Sequence, residues 1–167
     1  MTKYSLIPEQ SRVRIDGSSN VHGIRAESVG LNGEIEVQHT ARGLKLRSPV
    51  TGWVEIEVAK LRASNPLVEA ETKRRIDAKR FPTIRGDLNE ASATGSETVS
   101  ASGEITFRGV NTAVHGELRV ERDGDHVHIT GSQTFDIREW GLQPPKMLML
   151  KVSPMITVTI DALGAPQ

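Results

Sequence analysis

Apolar and polar residues alternate along most of this chain. Val13 and Ile15 interleave with Arg12, Arg14 and Asp16, and Ile35 and Val37 with Glu34 and Glu36. Val54, Ile56 and Val58 enclose Glu55 and Glu57. The habit returns at Ile105 and Phe107, at Leu118 and Val120, at Val127, Ile129, Phe135 and Ile137, and at Ile156, Val158 and Ile160. A period of two gives each segment one buried and one wet face, which predicts antiparallel strands. A doubly wound parallel sheet would need continuous apolar strands separated by long helices, and the chain has neither.

Three segments open alike: GEIEV at 33, GEITF at 103 and GELRV at 116. Their spacings are unequal, so they do not mark a repeat architecture. Each glycine is expected at a turn or strand start, with each glutamate on the solvent side. RDGDH at 122–126 predicts a hairpin around Asp123-Gly124, and FRGVNTAV at 107–114 a looser corner. Only SNPLVEAETKRRIDAKRFP reads as helical. Asn65 caps it, Pro66 suits its first position and Pro82 stops it. Leu67, Val68 and Ile76 form its narrow apolar stripe, and the charges from Glu69 to Arg80 form a solvated face. The chain is therefore predicted to be all-β: about eight antiparallel strands in a barrel or sandwich, with one short helix around residues 66–80.

Composition sharpens this picture. Apolar residues make up 37% of the 167 positions, aromatics 4% and charged residues 25%, which suits polar strand surface better than a helical bundle. Twenty-one basic residues balance twenty-one acidic ones, so no global field favours nucleic acid or an anionic membrane. The absence of cysteine excludes disulfides and thiolate metal sites. No segment reaches the roughly 18 apolar residues needed to span a bilayer, and no signal-peptide run opens the chain. A cytoplasmic location is the expectation.

Several stretches, in order, resemble the YceI-like, polyisoprenoid-binding family. They are YSLIPEQSRVRI, LNGEIEV, IDAKRFPTIRG, SASGEITFRGVNTAV, FDIREWGL and KVSPMITVTIDA. No single motif is specific, but their order and spacing together are. The resemblance implies a lipocalin-like, eight-stranded antiparallel β-barrel formed by residues 1–167 as one domain. It also implies non-enzymatic carriage of a long apolar ligand such as a polyisoprenoid, an isoprenoid quinone or a fatty-acid amide. The tail would lie along Ile35, Val37, Ile56, Val58, Ile105, Phe107, Leu118, Phe135 and Ile137, with Leu142, Met147 and Met149 near the mouth. No cofactor is implied. Relatives of this kind are often dimeric, so a homodimer is a second partner expectation.

Catalytic motifs are missing: there is no Gly-x-Ser-x-Gly elbow, HExxH pair, phosphate loop or dinucleotide fingerprint. His126 and His128 share one strand face, but the alternation of Val127 and Ile129 turns both outward, so no metal site is predicted. His22 lies in a glycine-flanked loop and reads as structural or exposed. If Phe135 and Ile137 face inward, Arg138 and Trp140 face outward together and are expected to stack. In REWGLQPPKMLMLKV, Pro144 and Pro145 stiffen a turn before Met147–Leu150, which is expected to start the last strand with both faces covered. The alternative reading is a closed-core barrel that pairs with itself or another protein through residues 147–150.

Overall fold

In the computed structural model the strands are, in chain order, β1 (Thr2–Leu6), β2 (Arg12–Ser18), β3 (Gly23–Val29), β4 (Asn32–Thr40), β5 (Gly43–Lys45), β6 (Thr51–Glu57) and β7 (Arg62–Ala63). Helix α1 (Pro66–Ile76) follows, then β8 (Thr83–Ala93), β9 (Thr98–Phe107), β10 (Val110–Asp123), β11 (His126–Asp136), β12 (Lys146–Met147), β13 (Leu150–Lys151) and β14 (Met155–Pro166). Single 3-10 turns occupy Pro8–Gln10, Val58–Lys60 and Ile137–Trp140. The structure describes residues 2–21, 23–40, 43–46, 49–144, 146–147 and 150–167, with the backbone alone at 39, 40, 146, 147 and 150.

Eight of these strands close a ring in the order β1-β4-β6-β8-β9-β10-β11-β14, and β1 returns to β14. Every pairing in the ring is antiparallel. The free edge of β14 is shared end to end: β2 takes Thr157–Asp161 and β1 takes Gly164–Pro166. From β2 the sheet continues through β3 to β7, beside which α1 lies. Ser11 holds the corner between β1 and β2. Fully buried, it accepts from the Leu163 amide at 3.1 Å through Oγ, and its carbonyl accepts from the amides of Gly30 and Leu31. A buried hydroxyl there satisfies backbone groups that the interrupted ladder leaves unpaired.

Inward positions follow the alternation. Ile35, Val37, Ile56, Val99, Val120, Val127 and Ile129 are buried, and their neighbours in sequence face solvent. Two-residue turns join β9 to β10 and β10 to β11. In the first, Arg108 and Gly109 both have positive φ (53° and 72°), the pattern of a type I′ turn. In the second, Gly124 alone is positive, at 63°, and the turn residues are Gly124 and Asp125.

Three expectations change. Gly103 and Gly116 lie within β9 and β10, not at turns or strand starts, whereas Gly33 stands second in β4, at a strand start as expected. A Cβ on Gly33 would collide with the Trp53 carbonyl oxygen, and one on Gly103 with that of Asp87. They permit close backbone approach where the sheet coils, and β8 carries a bulge between Leu88 and Glu90 on the strand that Gly103 faces. The helix ends at Ile76, short of 80, because Asp77 adopts a left-handed conformation (φ 60°, ψ 62°) and returns its amide to Arg74 and Lys73. The capping by Asn65 is as expected, with Oδ1 accepting from the amides of Leu67 and Val68. Finally, β14 starts at Met155, and 146–147 pair with 150–151 in a separate hairpin.

Candidate ligand-binding site

Two cavities occupy the barrel. The first, about 230 Å³, lies at the α1 end, between Ile15, Ile24 and Ile156 on one side and Ile56, Ile84 and Phe107 on the other. Val68 and Ile76 of α1 also border it. The second, about 250 Å³, fills the middle of the ring among Leu6, Ile35, Val54, Leu88, Leu118 and Ile160. Ile105, Phe135 and Val158 border both and form the waist that stands between the two spaces. Together they fall within the roughly 300–1,000 Å³ of ordinary ligand pockets.

Glycine makes the second space. Gly52, Gly86, Gly103, Gly116 and Gly131 all border it, at ring positions where the alternation calls for an inward side chain. Ile35 faces Gly52, which faces Leu88, which faces Gly103, which faces Val114. Large and small residues thus succeed one another around the ring, and the glycines at 52 and 103 also let neighbouring backbones approach closely.

Of the residues expected to line a ligand, Ile56, Phe107, Ile137 and Leu142 border the first cavity, Ile35 and Leu118 the second, and Ile105 and Phe135 both. Val37 and Val58 are fully buried but border neither, and Val58 belongs to a 3-10 turn, not to a strand. Met149 and the side chain of Met147 lie outside the described residues, as does His22. The reading of residues 147–150 as an association surface therefore falls outside them too.

The expected outward pair of Arg138 and Trp140 is corrected. The chain leaves the strand at Asp136 and forms a 3-10 turn, so period-two parity no longer applies. Trp140 is buried at the cavity wall. Its ring stands edge-on to Phe135 with centroids 5.9 Å apart, and its indole N–H donates to the Ile105 carbonyl at 3.0 Å. Arg138 stays in solvent, paired with Asp136 at 2.7 Å, and holds that carboxyl below its ordinary range. Cation–π contacts lie elsewhere: Arg85 is 4.5 Å over Trp53, and Arg80 is 5.2 Å over Phe81. His126 and His128 face outward as the alternation places them, each against a different carboxylate, Asp125 and Asp161. Among the described residues no three His, Asp or Glu side chains gather to hold a metal.

The charged groups bordering the α1 end are already engaged. Glu69 accepts from the Ala63 amide at 2.9 Å, Lys73 donates to the Ala59 carbonyl at 3.2 Å, and Arg75 pairs with Glu71 at 2.9 Å. Glu71 lies between Arg74 and Arg75, which lower its pKa from 4.5 to about 2.

An apolar, internally hollow eight-stranded ring is what the family resemblance calls for, and a comparison of the whole chain decides the matter. The YceI-like domain family matches residues 4–163. This chain belongs to the YceI-like family. Solved structures agree in fold. BcnA of Burkholderia cenocepacia superimposes with a TM-score of 0.79 at 12% identity, over 95% of this chain and 98% of its own. A polyisoprenoid-binding domain from Saccharophagus degradans, implicated in plant cell wall breakdown, gives 0.79 at 13% identity, over 98% of each chain. The YceI protein of Campylobacter jejuni gives 0.67 at 14% identity, over 85% of this chain and 84% of its own. No curated protein matches the sequence significantly. Among the described residues no helix is long and apolar enough to cross a membrane.

Proposed function

We propose that this YceI-like barrel binds and carries one long apolar molecule, a polyisoprenoid, isoprenoid quinone or fatty-acid amide, without chemical conversion. The observation that carries this reading is a pair of apolar cavities in succession along the barrel, with Ile105, Phe135 and Val158 lining both. From Ala101 to Phe107 the inward positions of β9 run for about 20 Å at roughly 3.3 Å per residue, a length suited to a chain and not to a compact substrate. Burying about ten methylenes there yields on the order of 8 kcal/mol before ordering costs, near what micromolar binding needs. The polyisoprenoid-binding domain of Saccharophagus degradans shares the fold, which supports the same ligand class here.

Native mass spectrometry of protein purified without detergent tests the reading, together with titration by 11-(dansylamino)undecanoic acid. A co-purified apolar mass, or saturable fluorescence with one site per chain, is expected. Neither a bound mass nor probe binding would overturn the carrier function.

A further inference from the structure

The ring is complete in order but not along its whole height. β10 and β11 pair from Asp123↔His126 to Leu118↔Gly131, and there the ladder stops. Below that point, Val110–Glu117 of β10 pair only with β9, and Ser132–Asp136 of β11 only with β14. The backbone polar groups that these two stretches turn toward each other have no strand partner. At the lower end the seam is pinned. Arg108 donates to the Gly141 carbonyl at 2.9 Å, and Trp140 to that of Ile105 at 3.0 Å.

The second cavity lies directly behind this seam, bordered by Val114, Gly116, Leu118, Gly131, Gln133 and Phe135. Continued in register, the ladder would next pair Glu117 with Ser132 and then Gly116 with Gln133, the first inward-facing pair beyond its end. A Cβ on Gly116 would sit 3.3 Å from Gln133 Oε1 and 3.7 Å from its Cγ, so the glutamine side chain lies across the seam against Gly116. Among the described residues bordering this cavity, Gln133 is the one polar side chain that alternation turns inward, yet it is exposed, because the wall beside it is open. Glu69, Lys73 and Arg75 at the α1 end are each held by a hydrogen bond or ion pair within the fold.

Building on the carrier reading, we infer that the β10–β11 seam is the lateral portal of the barrel, with Gln133 as its flap. The lipid tail passes between the strands into the cavity. An uncharged, hydrogen-bonding head, such as a carboxamide, a hydroxyl or a quinone carbonyl, stays at Gln133 and the unpaired strand edges. A carboxamide both donates and accepts, so it satisfies such heads without the cost of burying a charge.

The chain has no cysteine, so the pair Gly116→Cys and Gln133→Cys makes one defined crosslink across the seam. Stopped-flow uptake and release of 11-(dansylamino)undecanoic acid are compared in the oxidised and reduced forms of this variant. The oxidised form is expected to exchange at least about tenfold more slowly, reduction to restore the rate, and the wild-type protein to ignore reductant. Equal rates in the two forms, with binding intact, would overturn the portal and move entry to the α1 end. Failure of the wild-type protein to take up probe would overturn the carrier reading, and the portal with it. A second measurement stands apart from the crosslink. Gln133→Leu should weaken displacement of the probe by hexadecanamide by about two- to tenfold, the range of one hydrogen bond, and leave displacement by hexadecane unchanged. An equal effect on both competitors, or a peptide found bound in the seam, would overturn the assignment of Gln133.

Discussion

The indole N–H of Trp140 donates to the carbonyl of Ile105, 35 residues earlier, at 3.0 Å. This bond ties the 3-10 turn after β11 to the last residues of β9 and fastens one end of the open seam. It also places the indole edge against Phe135, so one side chain supports the waist between the two cavities.

Trp140→Ala should therefore cost about 3–5 kcal/mol of stability, the range for losing a buried aromatic. Trp140→Phe keeps most of the packing and loses the bond, and should cost about 1 kcal/mol more than packing loss alone. Urea denaturation of both variants checks the order, with Phe the milder.

Ile105→Trp fills the waist. It should sharply reduce probe capacity and cost about 1–3 kcal/mol from overpacking. Fluorescence titration beside thermal unfolding separates the two effects. Full probe binding in a folded Ile105→Trp protein would show that the ligand does not cross between the cavities.

Gly103→Ala places a methyl group against the Asp87 carbonyl oxygen, and the neighbouring strand has to move. A loss of about 1–3 kcal/mol is expected, as for other overpacked sites. Denaturant unfolding and amide exchange at the β8–β9 ladder measure it.

Acid should loosen α1. Arg74 first, and then Arg75, hold Glu71 at about 2 against an ordinary 4.5. A carboxyl depressed in the folded state contributes stability that is present above its unfolded pKa. That contribution is lost as pH falls from about 4.5 through about 2. The pair faces water, so added salt should shrink the effect. NMR titration of the Glu71 carboxyl carbon checks the midpoint. Amide exchange of α1 in Glu71→Gln should lose this part of its acid dependence.

Asn65→Ala removes the acceptor for the amides of Leu67 and Val68 and should cost about 1 kcal/mol, read by thermal unfolding.

Much of the fold was legible because a strand with one buried face must alternate. Ile35, Ile56, Ile105, Phe135 and Val158 follow directly from that constraint, as does the outward aim of His126 and His128. Residues Asn65 and Pro66 were sufficient to start the helix. Its end was not legible, because Asp77 takes a left-handed conformation that a non-glycine residue adopts only in a particular setting. The parity of Arg138 and Trp140 failed for a related reason. Alternation applies only while the chain is a strand, and nothing local announces that β11 stops at Asp136.

The sequence by itself thus determined an antiparallel all-β chain, its inward residues and its resemblance to the YceI-like family. Tertiary structure alone decided that the interior is hollow. Whether Gly52, Gly86, Gly103, Gly116 and Gly131 are turns or gaps in a wall depends on which strands lie beside them. It also decided where the wall is open: period two says which way a residue faces but not which strand pairs with which. Gln133 became notable only once its missing neighbour across the seam was visible.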